Sequence, residues 1–197
     1  MFYSFPMPTY HRAYVPGGTF FLTLVTYNRK PLFADSHNVV RLRNALSTVR
    51  HEHSFEIAAA VVLPDHVHFL WTLLPGEPNF SKRIGRLKVL FTQSLQGRLM
   101  TAHDVSQSRL SHRERDVWQR RFWEHTIRDE KDFQQHVDYI HYNPVKHELT
   151  TCPHRWAYSS FARWVRQGAY TAAWCCTCGG RKIKVSNFSA IEGTVGE

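Results

Sequence analysis

The octapeptide Pro64-Asp65-His66-Val67-His68-Phe69-Leu70-Trp71 constrains the fold more than any other stretch of the chain. In an extended strand Val67, Phe69 and Trp71 point to one face, and His66 and His68 stand together on the other. Three bulky apolar groups in a row require a core on their side, so the strand belongs inside a sheet that other elements cover. On the opposite face two imidazoles side by side could grip a metal, although histidines so spaced are more often structural or surface residues.

The flanking sequence supplies the rest of that sheet. Pro16-Gly17-Gly18 is a turn signal, and Thr19 to Thr26 is rich in β-branched and aromatic residues, which predicts a first, interior strand. From Asp35 or Ser36, either a suitable N-cap, Val39, Leu42, Leu46 and Val49 recur at helical spacing to about His51. Phe55 to Leu63 is a second apolar run stopped by Pro64-Asp65, and His66 to Leu74 follows at once, so the two read as a hairpin. Beyond Pro75-Gly76-Glu77-Pro78, Ile84, Leu87, Phe91 and Leu95 mark a second amphipathic helix. Thr101 to Asp116 reads as a polar loop, Val117 to Arg128 as a fourth strand, and Asp129 caps a third helix that runs to about Asn143, where Pro144 ends or kinks it. Strand, helix, two strands, helix, strand, helix is the order of a split βαβ arrangement: an α+β, ferredoxin-like antiparallel sheet with helices. The expectation is one domain over residues 1–165 and a poorly ordered C-terminal tail over residues 166–197.

The third helix carries a second constellation. Phe133, Val137 and Ile140 form its apolar stripe, and Asp132, His136, Tyr139 and Asn143 form a polar stripe along the border of the same face. The wheel turns Tyr142 away from the core, which selects Tyr139 as the reactive phenol. His66, His68 and the amide oxygen of Asn143 can complete a three-ligand site for a divalent metal, Mn²⁺ readily and Mg²⁺ where substrate oxygens finish the shell. A metal so held acts as a Lewis acid on a phosphoryl group, and a phenol, with a pKa near 10, reaches its anion far more easily than a serine hydroxyl. Attack on a DNA phosphodiester exchanges one phosphodiester for another of similar energy, which favours strand transfer over hydrolysis. Lys146 can steady the phenolate or hold the phosphate if the chain stays helical past Pro144. Glu124 could orient a ligand; His125, His136, His141 and His147 read as hydrogen-bonding or surface groups.

His66-Val67-His68, Arg121-Phe122-Trp123-Glu124-His125 and above all His136-Val137-Asp138-Tyr139-Ile140-His141-Tyr142-Asn143-Pro144-Val145-Lys146-His147 resemble the REP-associated tyrosine transposases. These are single-tyrosine members of the HUH nuclease superfamily, kin to the small insertion-sequence transposases that act on single strands. The likeness spans roughly Tyr14 to Phe161 and includes Pro16-Gly17-Gly18-Thr19 and Tyr158-Ser159-Ser160. It implies paired histidines on a ferredoxin-like sheet, Tyr139 as nucleophile, a divalent metal on His66 and His68 with Asn143 as third ligand, and cleavage of single-stranded DNA at hairpin-forming repetitive extragenic palindromes to a 5′-phosphotyrosine. It also implies a monomer, with a dimer as the alternative seen among the insertion-sequence kin.

Composition agrees with a polyanionic partner: the formal charge is +9, with 25 Lys and Arg and 27 aromatic residues. Arg12, Arg83, Lys88, Arg120, Arg121 and Lys146 are the candidate DNA contacts, and Tyr10 and Trp118 the candidate stacking platforms. No apolar run approaches the roughly 20 residues that span a bilayer, so the expectation is a cytoplasmic protein with no membrane partner. The four cysteines are no disulfide framework; a zinc site on Cys175, Cys176 and Cys178 would need His154 or Cys152 as a fourth ligand, and the close spacing suits tetrahedral geometry poorly. Two other readings fit parts of the sequence: a DNA-binding module without chemistry, and a metal phosphohydrolase that uses water.

Overall fold

The computed structural model describes residues 15–95, 116–178, 188, 189, 191 and 192. Its sheet has four strands, β1 (Thr19–Val25), β2 (Phe55–Val62), β3 (His66–Leu73) and β4 (Trp123–Thr126), in the order β2-β3-β1-β4. Every neighbouring pair is antiparallel. With α1 (Ser36–Glu52) between β1 and β2 and α2 (Phe80–Ser94) between β3 and β4, this is the expected split βαβ arrangement.

Both faces of the sheet are covered. On one, Phe20, Leu22, Leu24, Val67, Phe69 and Trp71 pack with Val39, Leu42 and Val49 of α1 and Ile84, Leu87 and Phe91 of α2. On the other, Phe21, Ala59, Val61 and Leu70 pack with Val137, Tyr139 and Ile140 of α3 (Glu130–Lys146). Each of these buried large side chains contributes about 1.5–3 kcal/mol, and the bulk falls on the first face, where Trp71 sits against Phe55 and Phe69. The helices begin where their caps dictate: the side chains of Asp35, Asn79 and Asp129 accept from the backbone N–H of His37, Lys82 and Asp132, each worth about 1 kcal/mol.

Three expectations need correction. The fourth strand is only Trp123–Thr126; upstream of it Trp118 makes an isolated bridge to Thr26. α3 does not stop at Asn143 but runs through Pro144 to Lys146. Proline removes one N–H and crowds the carbonyl four residues back, but here it lies in the last turn, where Asn143, Pro144 and Val145 are all buried and the His147 N–H still reaches the Asn143 carbonyl at 3.0 Å. Finally, the segment expected as a tail supplies core: after α4 (Phe161–Arg166), Tyr170, Phe188 and Ile191 are buried in the second layer. The loop expected over residues 101–116 lies outside the described residues except for Asp116. No described helix is long and apolar enough to cross a membrane.

β2 is bulged between Ile57 and Ala59, and α4 reads the carbonyls left there: the Arg163 guanidinium donates to Ile57 and Ala58, and the Trp164 indole to Ala58. Beside it the Ser160 hydroxyl accepts from the Ala60 N–H at 2.9 Å and meets His141 Nε2 at 2.8 Å. Burial, and then the charge of Arg163, push the His141 imidazole down to about 3. An unfolded chain would protonate this ring near 6.5, so between about pH 6.5 and 3 the unfolded state binds the extra proton and stability falls as pH falls. The urea midpoint of the wild type should therefore drop more steeply on acidification than that of His141→Gln; parallel profiles would contradict the assignment.

Candidate active site

β3 lies between β1 and β2, so His66 and His68 are fully enclosed, at 2% and 0% exposure. Imidazoles so buried need partners, and the register supplies them. His68 faces Thr23 across the β1 pairing, and Thr23 Oγ1 lies 2.8 Å from His68 Nδ1. His66 Nδ1 donates to the Asp65 carboxylate at 2.6 Å, and Arg29 donates to the same carboxylate at 3.0 Å. Burial alone would raise the Asp65 carboxyl, but the His66 hydrogen bond and then Arg29 outweigh it and hold it at about 2. With both Nδ1 atoms engaged, Nε2 is the ligand nitrogen each ring can offer, and the carboxylate–histidine pairing is the arrangement that fixes tautomer and ring orientation at metal sites. The two rings stand edge to face, 4.9 Å apart.

α3 lies along this pair. The Tyr139 ring is 5.5 Å from that of His68, and the His147 ring 5.4 Å from that of His66. Asn143 is four residues from each, so it falls between them on the same helical face, about 6 Å along the axis from either. It has no exposed surface, and neither atom of its amide has a hydrogen-bond partner among the described residues. A buried amide in that state is a donor set waiting for a ligand. Two imidazoles and an amide oxygen suit a borderline divalent cation, and the residues present fit one.

Because α3 continues past Pro144, Lys146 returns to Tyr139: its Nζ is 3.3 Å from the phenolic oxygen and 5.1 Å from the ring centre. The phenol itself is enclosed, with Phe188 5.4 Å from its ring, and Glu192 lies 3.3 Å from the Lys146 ammonium. Tyr142 is half-buried and not turned fully away from the core: it packs at the edge of the same layer and stacks on Phe188 at 6.0 Å.

Other candidates fall elsewhere. The upper part of the polar stripe is satisfied by its own neighbours: Asp132 accepts from His125 Nε2 at 2.8 Å and lies 3.1 Å from His136 Nδ1. Burial lowers His136, which favours its neutral form. Glu124 pairs in register with Leu22, whose side chain belongs to the α1/α2 layer, so Glu124 faces away from the histidines and cannot orient them. Arg83 is 3% exposed and spends its guanidinium on Glu77 and on the carbonyls of Asn79 and Ser54, which corrects its assignment as a DNA contact. Trp118, expected as a stacking platform, is buried against Phe33 and Phe91. Lys88 donates to the Gln119 carbonyl from α2, on the far side of the sheet from the histidines. Arg120 and Arg121 are exposed in the turn before β4, and Arg12 and Tyr10 lie outside the described residues. Sequence reading missed Thr23, Asp65 and His147; the +4 spacing from Asn143 was the available signal for His147.

The chain matches the family model described as "Transposase IS200 like" over residues 16–143. It is 38% identical over 186 residues to the REP-associated tyrosine transposase of Escherichia coli strain K12, covering 94% of this chain and 98% of that protein. A Haemophilus influenzae relative provisionally given the same name is 38% identical over 168 residues, covering 85% of this chain and 93% of that one. Among solved structures, that of a REP-associated tyrosine transposase bound to a REP hairpin superposes with a TM-score of 0.70 at 35% identity, covering 92% of this chain and 98% of that chain.

The partners of the Nδ1 atoms give a direct expectation. Thr23→Val keeps shape but removes the oxygen beside His68, and Asp65→Asn removes the charge behind His66. Each should weaken Mn²⁺ binding to the full chain by about 10- to 100-fold in calorimetric titration; unchanged affinity in both would show that ring orientation does not matter to the site.

Proposed function

Because the chain belongs to the IS200-like transposase family, we propose that it is a DNA strand transferase that cuts and rejoins single-stranded DNA at REP-type hairpins, with Tyr139 as nucleophile. The observation that carries the reading is the Tyr139 ring 5.5 Å from that of His68 and the His147 ring 5.4 Å from that of His66, with Asn143 between Tyr139 and His147 on the same helical face. The relatives' names and the hairpin in the superposed structure support the substrate class.

His66 Nε2, His68 Nε2 and Asn143 Oδ1 would hold a divalent cation, Mn²⁺ or Mg²⁺. When bound, such an ion draws charge from a phosphodiester as a Lewis acid. The chain's own groups do the rest. Tyr139 Oη attacks phosphorus, the bond to the 3′ oxygen breaks, and a 5′-phosphotyrosine and a free 3′-hydroxyl result, the phenolic proton being lost as the leaving oxygen gains one. The Lys146 ammonium stabilises negative charge developing on Tyr139 Oη. A phosphodiester reaches that oxygen once Phe188 and Glu192 have moved off Tyr139 and Lys146. The covalent product keeps a phosphodiester-like bond, so the 3′-hydroxyl of the same or another strand can attack it and rejoin. Histidines, amide and phenol all come from one chain, which supports a monomer as the working unit. Arg120, Arg121 and Lys146 are the phosphate-contacting candidates, and affinity through them should fall with salt.

The test is a covalent one. With labelled hairpin DNA bearing a single-stranded flank and Mn²⁺, the wild type should form a denaturant-resistant protein–DNA adduct, Tyr139→Phe should form none, and His66→Ala or His68→Ala should cut its yield by about 100-fold or more. Hairpin binding should survive all three substitutions. An adduct formed by Tyr139→Phe as well as by wild type would remove Tyr139 from the mechanism, and turnover without an adduct would point to water as the nucleophile.

A further inference from the structure

The chain leaving α3 meets the segment after α4 in a way that the spacing of the cysteines did not suggest. Cys152 precedes a 3-10 turn (Pro153–Arg155) that carries His154, and 24 and 26 positions on stand Cys176 and Cys178. The Thr177 backbone N–H and hydroxyl both donate to the Thr151 carbonyl, at 2.8 and 3.1 Å, which lays the second segment against the first. Cys176 and Cys178, alternate residues of that segment, then meet Cys152 from one side: the three sulfurs all lie within 4.8 Å of one another. Cys152 Sγ and Cys178 Sγ are 3.3 Å apart, and Cys176 Sγ is 3.6 Å from His154 Nδ1. Cys175 takes no part. Its left-handed backbone (φ 50°) reverses the chain just before Cys176.

We propose that Cys152, Cys176, Cys178 and His154 form a structural zinc site that clips the C-terminal segment to the end of α3. Tetrahedral zinc, with Zn–S near 2.3 Å and Zn–N near 2.0–2.1 Å, requires S···S edges of about 3.8 Å and S···N edges of about 3.6 Å. The 3.3 Å between Cys152 Sγ and Cys178 Sγ opens by about half an ångström to reach the first, and the 3.6 Å between Cys176 Sγ and His154 Nδ1 matches the second. Three cysteine sulfurs gathered from two segments, with a histidine nitrogen beside one of them, is the composition of closed Cys₃His zinc sites, whereas a Cys152–Cys178 disulfide would leave Cys176 gathered there for no reason. Zinc binding converts three thiols to thiolates and releases their protons. His154 Nδ1, which meets the Ala172 carbonyl at 2.9 Å, exchanges that contact for the metal.

Such a clip closes the loop between Cys152 and Cys178 and so fixes α4 and Tyr170 against α3, the helix that bears Tyr139. It is distinct from the His66–His68 pair and does not depend on the proposed DNA chemistry.

The experiment uses the full chain, purified under reducing conditions and dialysed against zinc-free buffer, with metal content measured by mass spectrometry. Wild type, Cys175→Ser and the His66→Ala/His68→Ala double variant should each retain one zinc per chain. Cys152→Ser and Cys178→Ser should lose it, and His154→Ala should hold it more weakly. Cys178 is exposed, so its replacement should leave a folded protein, and a chelator should lower the Tm of wild type but not that of Cys178→Ser. Cobalt added to the metal-free chain should give thiolate-to-cobalt charge-transfer absorption that Cys176→Ser abolishes. A wild-type chain that retains no zinc and shows no such absorption overturns the site, as does retained zinc that disappears with the histidine double variant. An intact mass two hydrogens short, mapped to a Cys152–Cys178 disulfide, overturns it equally.

Discussion

The structure depends on β3 being enclosed on both faces. A strand with only one covered face could leave its histidines in water, where two imidazoles two residues apart cost nothing. Here α1 and α2 cover Val67, Phe69 and Trp71, while α3 covers His66, His68 and Leu70. Burying two imidazoles demands hydrogen bonds for their nitrogens, and β1 and the hairpin connection provide them through Thr23 and Asp65. Those same two bonds dictate which nitrogen each ring turns toward α3. The sheet thus makes the ligand pair and orients it in one act.

The second requirement is that α3 stay helical to its end. Tyr139, Asn143, Lys146 and His147 share one face only if the backbone continues through Pro144, and the hydrogen bonds beyond the proline show that it does. One lost backbone bond and a crowded carbonyl are offset by burying the apolar side chains of Pro144 and Val145. The result is a short polar strip within an apolar layer: phenol, amide and imidazole along the helix, two imidazoles along the strand, and one ammonium beside the phenol. Low local polarity on either side strengthens every charge interaction within the strip.

Much of this was legible because it rests on period. Alternation in His66–Trp71 put the histidines opposite Trp71, and the 3.6-residue wheel of α3 placed Asp132, His136, Tyr139 and Asn143 on one buried edge. Hairpin, caps and strand order followed from equally local signals. What period could not give was long-range pairing. That Asp132 and His136 would be claimed by His125 depends on the β1–β4 register. That Glu124 turns to the far face follows from the same register, and nothing local fixes it. Arg83 reads as a surface cation on α2, yet the carbonyls of Ser54 and Asn79 and the Glu77 carboxylate draw it in. Trp118 sits in polar sequence but fills the space between Phe33 and Phe91. The cysteines were only partly legible for the same reason: Cys152 was an optional partner for the Cys175–Cys178 cluster, and the meeting of two segments gathers Cys152, Cys176 and Cys178 while leaving Cys175 out.

The most direct test of the central claim is crystallographic. Crystals of the full chain grown with Mn²⁺, measured at a wavelength where manganese scatters anomalously, should show a peak within bonding distance of His66 Nε2, His68 Nε2 and Asn143 Oδ1, in the same cleft as Tyr139 Oη. An empty histidine pair, or a peak held instead by His125, Asp132 and His136, would contradict the account.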